Sequence, residues 1–174
     1  NFFLAAVNTA TGALRWQFPV DGQIWGSPTV SPYDNSIVFP TFNLDGPDYI
    51  YSVSQAGTEN WSYEINSFSN SIPSIGPDGT VYVGEFAMGS LYAINSDGTL
   101  KWEFELPGNL NYQSSVALID GGETVVFGTY TGEIYALNAD DMEIKWSYST
   151  GTKPIQASVA VSPDGQIFFG DWNG

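Results

Sequence analysis

Apolar and polar residues alternate in short runs along this chain, and no segment sustains the 3.6-residue apolar spacing of an amphipathic helix. Val81-Tyr82-Val83, Val125-Val126-Phe127 and Ile167-Phe168-Phe169 are compact β-branched and aromatic runs. Turn chemistry bounds them: Pro77-Asp78-Gly79, Gly121-Gly122 and Pro163-Asp164-Gly165. The pattern predicts short strands joined by hairpins, and therefore an all-β chain.

The pattern also repeats. Trp16, Trp61, Trp102 and Trp146 recur at intervals of 45, 41 and 44 residues. Gly12, Gly57 and Gly98 each stand four residues before a tryptophan, and Met142 replaces the glycine before Trp146. A second landmark, Pro32, Pro77, Asp120 and Pro163, recurs at intervals of 45, 43 and 43. Four repeats of about 43 residues, each offering four strands, match the size of a propeller blade rather than of a helical solenoid unit.

The four strands of a repeat differ in character. The first, near 27–31, 72–76, 115–119 and 158–162, is built from small residues and suits the narrow axis of a radial sheet. The second is the bulky run quoted above, the third is of the Tyr-Ala-Leu-Asn type, and the fourth carries the tryptophan. Each indole is expected to dock against the neighbouring blade. Arg15, Lys101 and Lys145 immediately precede a tryptophan, so simple alternation turns them to the opposite face. The chain opens with a third and fourth strand near 3–8 and 13–18, and closes with a first and second near 157–162 and 166–171. Residues 1–174 thus read as one propeller domain or fragment, with three complete antiparallel four-stranded blades and one split between the termini.

Composition narrows the chemistry. Nineteen acids against four cations give a net charge of −15, which repels phosphate backbones and anionic lipid and makes nucleic acid an unsuitable partner. The chain has no Cys and no His, which removes disulfides, thiol chemistry, zinc–imidazole sites and His-based triads. No stretch approaches the roughly 20 apolar residues of a membrane helix, so no membrane insertion is expected. The opening Asn1-Phe2-Phe3 carries neither an initiating Met nor a basic signal head and reads as a mature or excised segment. An acidic, lysine-poor, cysteine-free domain suits an extracellular or periplasmic setting.

The run from Ala6 to Trp16, AVNTATGALRW, closely resembles the tryptophan-docking motif of pyrroloquinoline-quinone-type β-propeller repeats. Ala136-Leu137-Asn138 through Lys145-Trp146 resembles the same motif with its glycine lost, and the copies ending at Trp61 and Trp102 are one residue shorter. The resemblance spans essentially the whole chain and implies a ring of seven or eight blades, of which this chain is half of an eight-bladed one. The family includes quinone-dependent alcohol dehydrogenases, an outer-membrane-assembly lipoprotein and extracellular binding modules, so the motif implies a fold rather than a function. The dehydrogenase branch implies an adjacent cysteine pair and calcium ligands, and other quinone-binding relatives imply His or several cations near the cofactor carboxylates. This chain lacks Cys and His and has few cations.

Three arrangements are open to a chain cut in mid-blade: a four-bladed ring closed on itself with Gly174 leading into Phe2-Phe3-Leu4, a homodimer completing an eight-bladed ring, or a piece of a longer polypeptide. The family's blade number favours the last two.

Candidate site residues fall where the repeats align or break. Phe42, Phe86, Tyr130 and Trp172 share one position after the second strand, preceded by Thr41, Glu85, Thr129 and Asp171. They could form an aromatic platform for sugar, but a position repeated in every blade reads better as packing. Trp25 falls where the other blades have Asn70, Gln113 and Gln156, and is either a ligand contact or a space filler. Asp45 and Asp48, in the expanded connection 42–49, could hold calcium; a solvated turn is the better reading because the loop lacks dense alternating acids. Asp140-Asp141-Met142-Glu143 is read likewise as a surface turn, and Asn60-Trp61-Ser62 fits a glycosylation sequon placed on a strand. No catalytic pair can be nominated and no cofactor is expected, calcium being the one ion the acids could accept.

The reading that results is a non-catalytic propeller module that binds a protein partner, a small ligand or a glycan. Competing readings are a quinone- or calcium-dependent oxidoreductase fragment, a carbohydrate-binding or carbohydrate-cleaving module, and a structural subunit of a surface assembly.

Overall fold

The computed structural model describes residues 2–87, 89–106, 114–151 and 153–172; Gln113 and Gly174 lie outside them. Three four-stranded antiparallel sheets follow one another along the chain. The first blade comprises β3 (Thr29–Val30), β4 (Ile37–Pro40), β5 (Asp48–Val53) and β6 (Glu59–Ile65). The second comprises β7 (Ser74–Ile75), β8 (Val81–Gly84), β9 (Ser90–Ile94) and β10 (Leu100–Glu105), and the third β11 (Ala117–Ile119), β12 (Thr124–Gly128), β13 (Glu133–Asn138) and β14 (Ile144–Ser149). At the ends, β1 (Phe2–Val7) pairs with β2 (Leu14–Val20), and β15 (Ala160–Val161) with β16 (Ile167–Phe168), as two separate two-stranded sheets. A 3-10 turn, Asp120–Gly122, links β11 and β12.

The core lies between blades, as period-two patterning requires when both faces of a sheet are covered. Val81 and Val83 on one face of β8 join Val38, Ile50 and Ile65 of the first blade. Tyr82, between them, points the other way and joins Trp102, Val125, Phe127 and Leu137 at the second seam. The consequence is that β8, β9 and β12 are buried along their whole length. Outer seams pack Val126, Ile134 and Ala136 on Ile155 and Val159, and Val20, Leu4 and Phe18 on Phe39 and Val53.

Small residues at the axis have a bonding role as well as a steric one. Thr29 Oγ1 donates to Pro73 O at 2.7 Å, and Ser74 Oγ donates to Val116 O at 2.6 Å, each reaching from one blade to the next. Ser71 and Ser114 bond both backbone groups of Gly84 and Gly128, extending the ladder with a hydroxyl where the strand has ended.

Three tryptophans reach the next blade. Trp16 Nε1 donates to Gln55 O at 2.8 Å, Trp61 Nε1 to Ser96 O at 3.0 Å, and Trp102 Nε1 to Ala139 O at 2.9 Å, always in the β-turn of the following blade. Gly57 and Gly98 are required there twice over. Their φ values are +80° and +87°, and a Cβ would stand 2.7 Å and 2.6 Å from the tryptophan side chain. Trp146 departs from the expectation: it is 39% exposed, and among the described residues its indole has no hydrogen-bond acceptor. The sheet it would meet has only its first two strands on that side. Gly12 departs in the same way, with φ +69° but nothing within 4 Å of its Cβ position, so it docks no tryptophan.

Simple alternation also fails just before each tryptophan. Register shifts place β-bulges at the start of β2, β6, β10 and β14, around Arg15, Asn60, Lys101 and Lys145. A bulge re-aims the side chain it carries. Lys101 accordingly folds over the seam to Asp78 Oδ2 at 3.5 Å and Asp140 Oδ1 at 3.0 Å, and its side chain is only 20% exposed.

Candidate functional site

Hairpin turns such as 77–79 and 95–98 lie on one side of the blades, and the connections 41–48, 66–71 and 85–87 lie on the other. Four aromatic rings meet on this second side. Trp25 packs on Phe42 with ring centroids 4.4 Å apart, Phe42 on Phe68 at 4.9 Å, and Phe68 on Phe86 in a stacked contact at 5.1 Å. Trp25 also meets Phe68 edge-on at 5.7 Å.

Local backbone requirements set this row. Gln23 and Phe42 exchange two backbone hydrogen bonds of 2.7 Å, which fixes Trp25 beside Phe42. Gly22 permits the approach, since a Cβ there would lie 2.7 Å from Phe42 O. Phe86 N donates to Phe68 O at 2.9 Å and ties the second blade's loop to the segment entering it. Trp25 Nε1 donates to Gln23 Oε1 at 2.9 Å, yet the residue remains 52% exposed, so one indole face is presented to solvent. The three phenylalanines are half-buried beneath and beside it.

Glu85 immediately precedes Phe86 of this row. It is fully buried, its Oε2 receives the Tyr92 hydroxyl at 3.4 Å, and its Oε1 has no hydrogen-bond partner. Burial raises its carboxyl from the ordinary value of 4.5 to about 7, and the charge of Glu103 adds to the effect. Donors at Ser67, Tyr92 and Ser90 act the other way. In the first and third blades the matching residue is Thr41 or Thr129, whose hydroxyl instead donates to the carbonyl of Tyr49 or Glu133. Tyr92 also receives the Asn66 amide at 2.9 Å, and burial followed by the charge of Glu85 pushes its phenol upward.

Tyr130 and Trp172, the other two members of the repeated aromatic position, pair with each other at 6.1 Å. They border an open groove of ≈ 440 Å³ with Glu133 and Lys153, and Trp172 Nε1 donates to Gln156 Oε1. The four aligned positions therefore divide into two groups: Phe42 and Phe86 join Trp25, and Tyr130 joins Trp172. Phe68 completes the first group and escapes a repeat-based reading because it lies between blades. Its one sequence signal is a lone aromatic in the polar run Asn66-Ser67-Phe68-Ser69-Asn70.

Asp45 and Asp48 have separate roles. Asp48 is buried and accepts the Asn43 N–H at 2.6 Å, closing the loop from inside, and burial pushes its carboxyl upward against that donor. Asp45 is on the exposed tip, where its own N–H donates to Asn43 Oδ1. The turn side has a groove of ≈ 360 Å³ that includes Asp34 and Asp78. The Ser31 hydroxyl, with backbone and side-chain donors of Ser36, holds Asp34 below the usual carboxylate range. At Asp78, Thr80 and Lys101 outweigh burial and lower the carboxyl likewise. Both carboxylates are taken up in shaping their own turns. Two of the four cations are committed as well: Lys101 clamps a seam, and Lys145 donates to Glu123 O and Thr124 Oγ1. The chain has no His or Cys, and among the described residues no cluster of cations, so its own donors do not fit a pyrroloquinoline quinone, whose carboxylates need a positive cradle.

Comparison with known proteins agrees with this architecture. The crystal structure of BamB from Moraxella catarrhalis superposes with a TM-score of 0.78, covering 94% of this chain and 48% of that one at 19% sequence identity. Lambda-carrageenase of a Pseudoalteromonas species is 34% identical over 94 residues, 51% of this chain and 10% of that protein. The chain therefore spans about half of the one relative and about a tenth of the other. Residues 46–171, most of the chain and three of its four tryptophan motifs, match the family described as outer membrane protein assembly factor BamB. Three complete four-stranded blades, seams closed by docked indoles and this match together establish that the chain belongs to the BamB-type family of PQQ-like repeat propellers.

Proposed function

We propose that this chain is a non-catalytic recognition module that binds a protein partner through the aromatic row Trp25–Phe42–Phe68–Phe86. The observation that carries the reading is the geometry of that row: four contiguous rings on a rigid blade framework, with Trp25 half exposed at its end. Exposed Trp backed by half-buried aromatics is the composition of an interaction hot spot. A net charge of −15 favours a partner segment that places an apolar or aromatic anchor between basic side chains. The family description, an outer membrane protein assembly factor, supports a protein partner and a location outside the cytoplasm.

Panning a displayed random-peptide library against the chain, with Trp25→Ala as counter-screen, tests this. Enriched peptides should carry an aromatic or apolar anchor flanked by Lys or Arg, and should bind Trp25→Ala at least tenfold more weakly. Peptides that bind both proteins equally would overturn the assignment of the site.

A second reading, a neutral glycan stacked on Trp25, draws support from the likeness to a stretch of lambda-carrageenase. Glycan-array binding lost in Trp25→Ala, with no peptide enriched, would favour it.

A further inference from the structure

Asp34 and Asp78 hold the same place in successive blades. Each stands two residues before a hydroxyl residue that donates to it twice. Ser36 N and Oγ reach Asp34 Oδ1 at 3.1 Å and 2.8 Å, and Thr80 N and Oγ1 reach Asp78 Oδ1 and Oδ2 at 3.0 Å and 2.7 Å. The residue between acid and hydroxyl has positive φ in both turns, +60° at Asn35 and +81° at Gly79. The turns that receive the indoles match as well. Trp61 donates to Ser96 O and Trp102 to Ala139 O, and an acid follows each acceptor, Asp97 in one blade and Asp140 in the next.

The two seams differ in the residue that stands at the bulge. Asn60 and Lys101 are the extra residues of matching bulges in β6 and β10, each immediately before its tryptophan. At the second seam Lys101 places its ammonium between Asp78 and Asp140, at 3.5 Å and 3.0 Å. At the first seam the shorter Asn60 turns its amide to Ser52 Oγ at 3.2 Å, and among the described residues neither Asp34 nor Asp97 is paired with a cation. A groove of ≈ 360 Å³ opens at this seam, whereas the groove bordered by Lys101 at the second is ≈ 170 Å³. Asp34 and Asp78 line the larger groove together with Trp61, Val38 and Ile75.

We propose that this groove is a docking site for a lysine side chain of a partner polypeptide, whose ammonium takes at the first seam the place between acids that Lys101 takes at the second. The groove suits that occupant along its whole length. Val38, Ile75 and Trp61 offer the methylene stem an apolar wall, as lysine stems prefer. Asp34 offers the head an ionised carboxylate, because the Ser31 hydroxyl and the Ser36 donors hold it below the usual carboxylate range. Its charge is uncompensated within the chain, so an ammonium from outside meets complementary potential there. The site lies on the turn side of the blades, opposite the aromatic row, and stands independently of it.

Titration with a short peptide carrying one lysine between glycines, both ends capped, tests it when followed by nuclear magnetic resonance at the indole N–H signals. Expected are a saturable shift at Trp61 with little movement at Trp102, no such shift when the peptide's lysine is acetylated, and unchanged affinity in Trp25→Ala. Asn60→Lys, which fills the groove from within as Lys101 does at the next seam, and Asp34→Asn, which removes the charge and keeps the shape, should each weaken binding about fivefold or more. Equal shifts at Trp61 and Trp102, equal binding of the acetylated peptide, or affinity unchanged in both Asn60→Lys and Asp34→Asn would each overturn the proposal.

Discussion

Glu85 places a titratable carboxyl inside a folded blade, where its charged form lacks a full set of donors. In the folded protein it titrates near 7, and in the unfolded chain near its ordinary 4.5. The folded state therefore holds the extra proton between those values, and the stability this group contributes is present below about 4.5 and is lost as pH rises towards 7. Asp34 and Asp78 act in the opposite sense but elsewhere. Their carboxyls are lowered from 3.8, so their contribution is present above that value and is lost only in stronger acid. Glu85→Gln, which keeps the shape without the charge, should flatten the decline of denaturant stability between pH 5 and pH 7 and leave the acid limb intact. The predicted difference at pH 7 is on the order of a few kcal/mol. Equal slopes in the two proteins would show that Glu85 is ionised at no cost in the blade.

At the scale of elements, four equivalent strands β2, β6, β10 and β14 carry equivalent tryptophans in unequal surroundings. Trp102 is 7% exposed, stands against Tyr82 at 5.7 Å and bonds Ala139 O; Trp146 is 39% exposed and bonds nothing described. Trp102→Ala should cost about 3–5 kcal/mol of unfolding free energy, since it empties the second seam and orphans a carbonyl. Trp146→Ala should cost less than about 1 kcal/mol, as surface substitutions do. Equal losses would mean that the indole contact is not what closes a seam. Strand order and the docking role of Trp16, Trp61 and Trp102 were legible because β-branched runs, turn residues and the tryptophan period all agree. The bulges at Arg15, Asn60, Lys101 and Lys145 were not, because a bulge is set by the partner strand's register, which one strand's text does not contain.

Across the whole molecule, the described seams join successive blades, and the repeated text specifies those seams well. What the repeat specifies poorly is the linking segment from one blade to the next: Phe68 lies there, and it is the ring that joins Trp25 and Phe42 to Phe86. In the sequence Glu85 is one of four residues before the repeated aromatic, with Thr41, Thr129 and Asp171, and its unpartnered Oε1 is a property of burial, which no spacing reveals. Asp45 and Asp48 illustrate the converse, two acids near in the chain that the loop turns to different environments.

The most direct test of the propeller arc is hydrogen exchange of the six tryptophan indoles, followed by nuclear magnetic resonance. Trp16, Trp61 and Trp102 should exchange slowly because each donates to a backbone carbonyl of the next blade, and Trp102, the most buried, should be the slowest. Trp25 and Trp172, themselves exposed and donating to glutamine side chains, should exchange fast. Six indoles exchanging alike, or Trp102 exchanging as fast as Trp25, would contradict a fold held together by docked tryptophans.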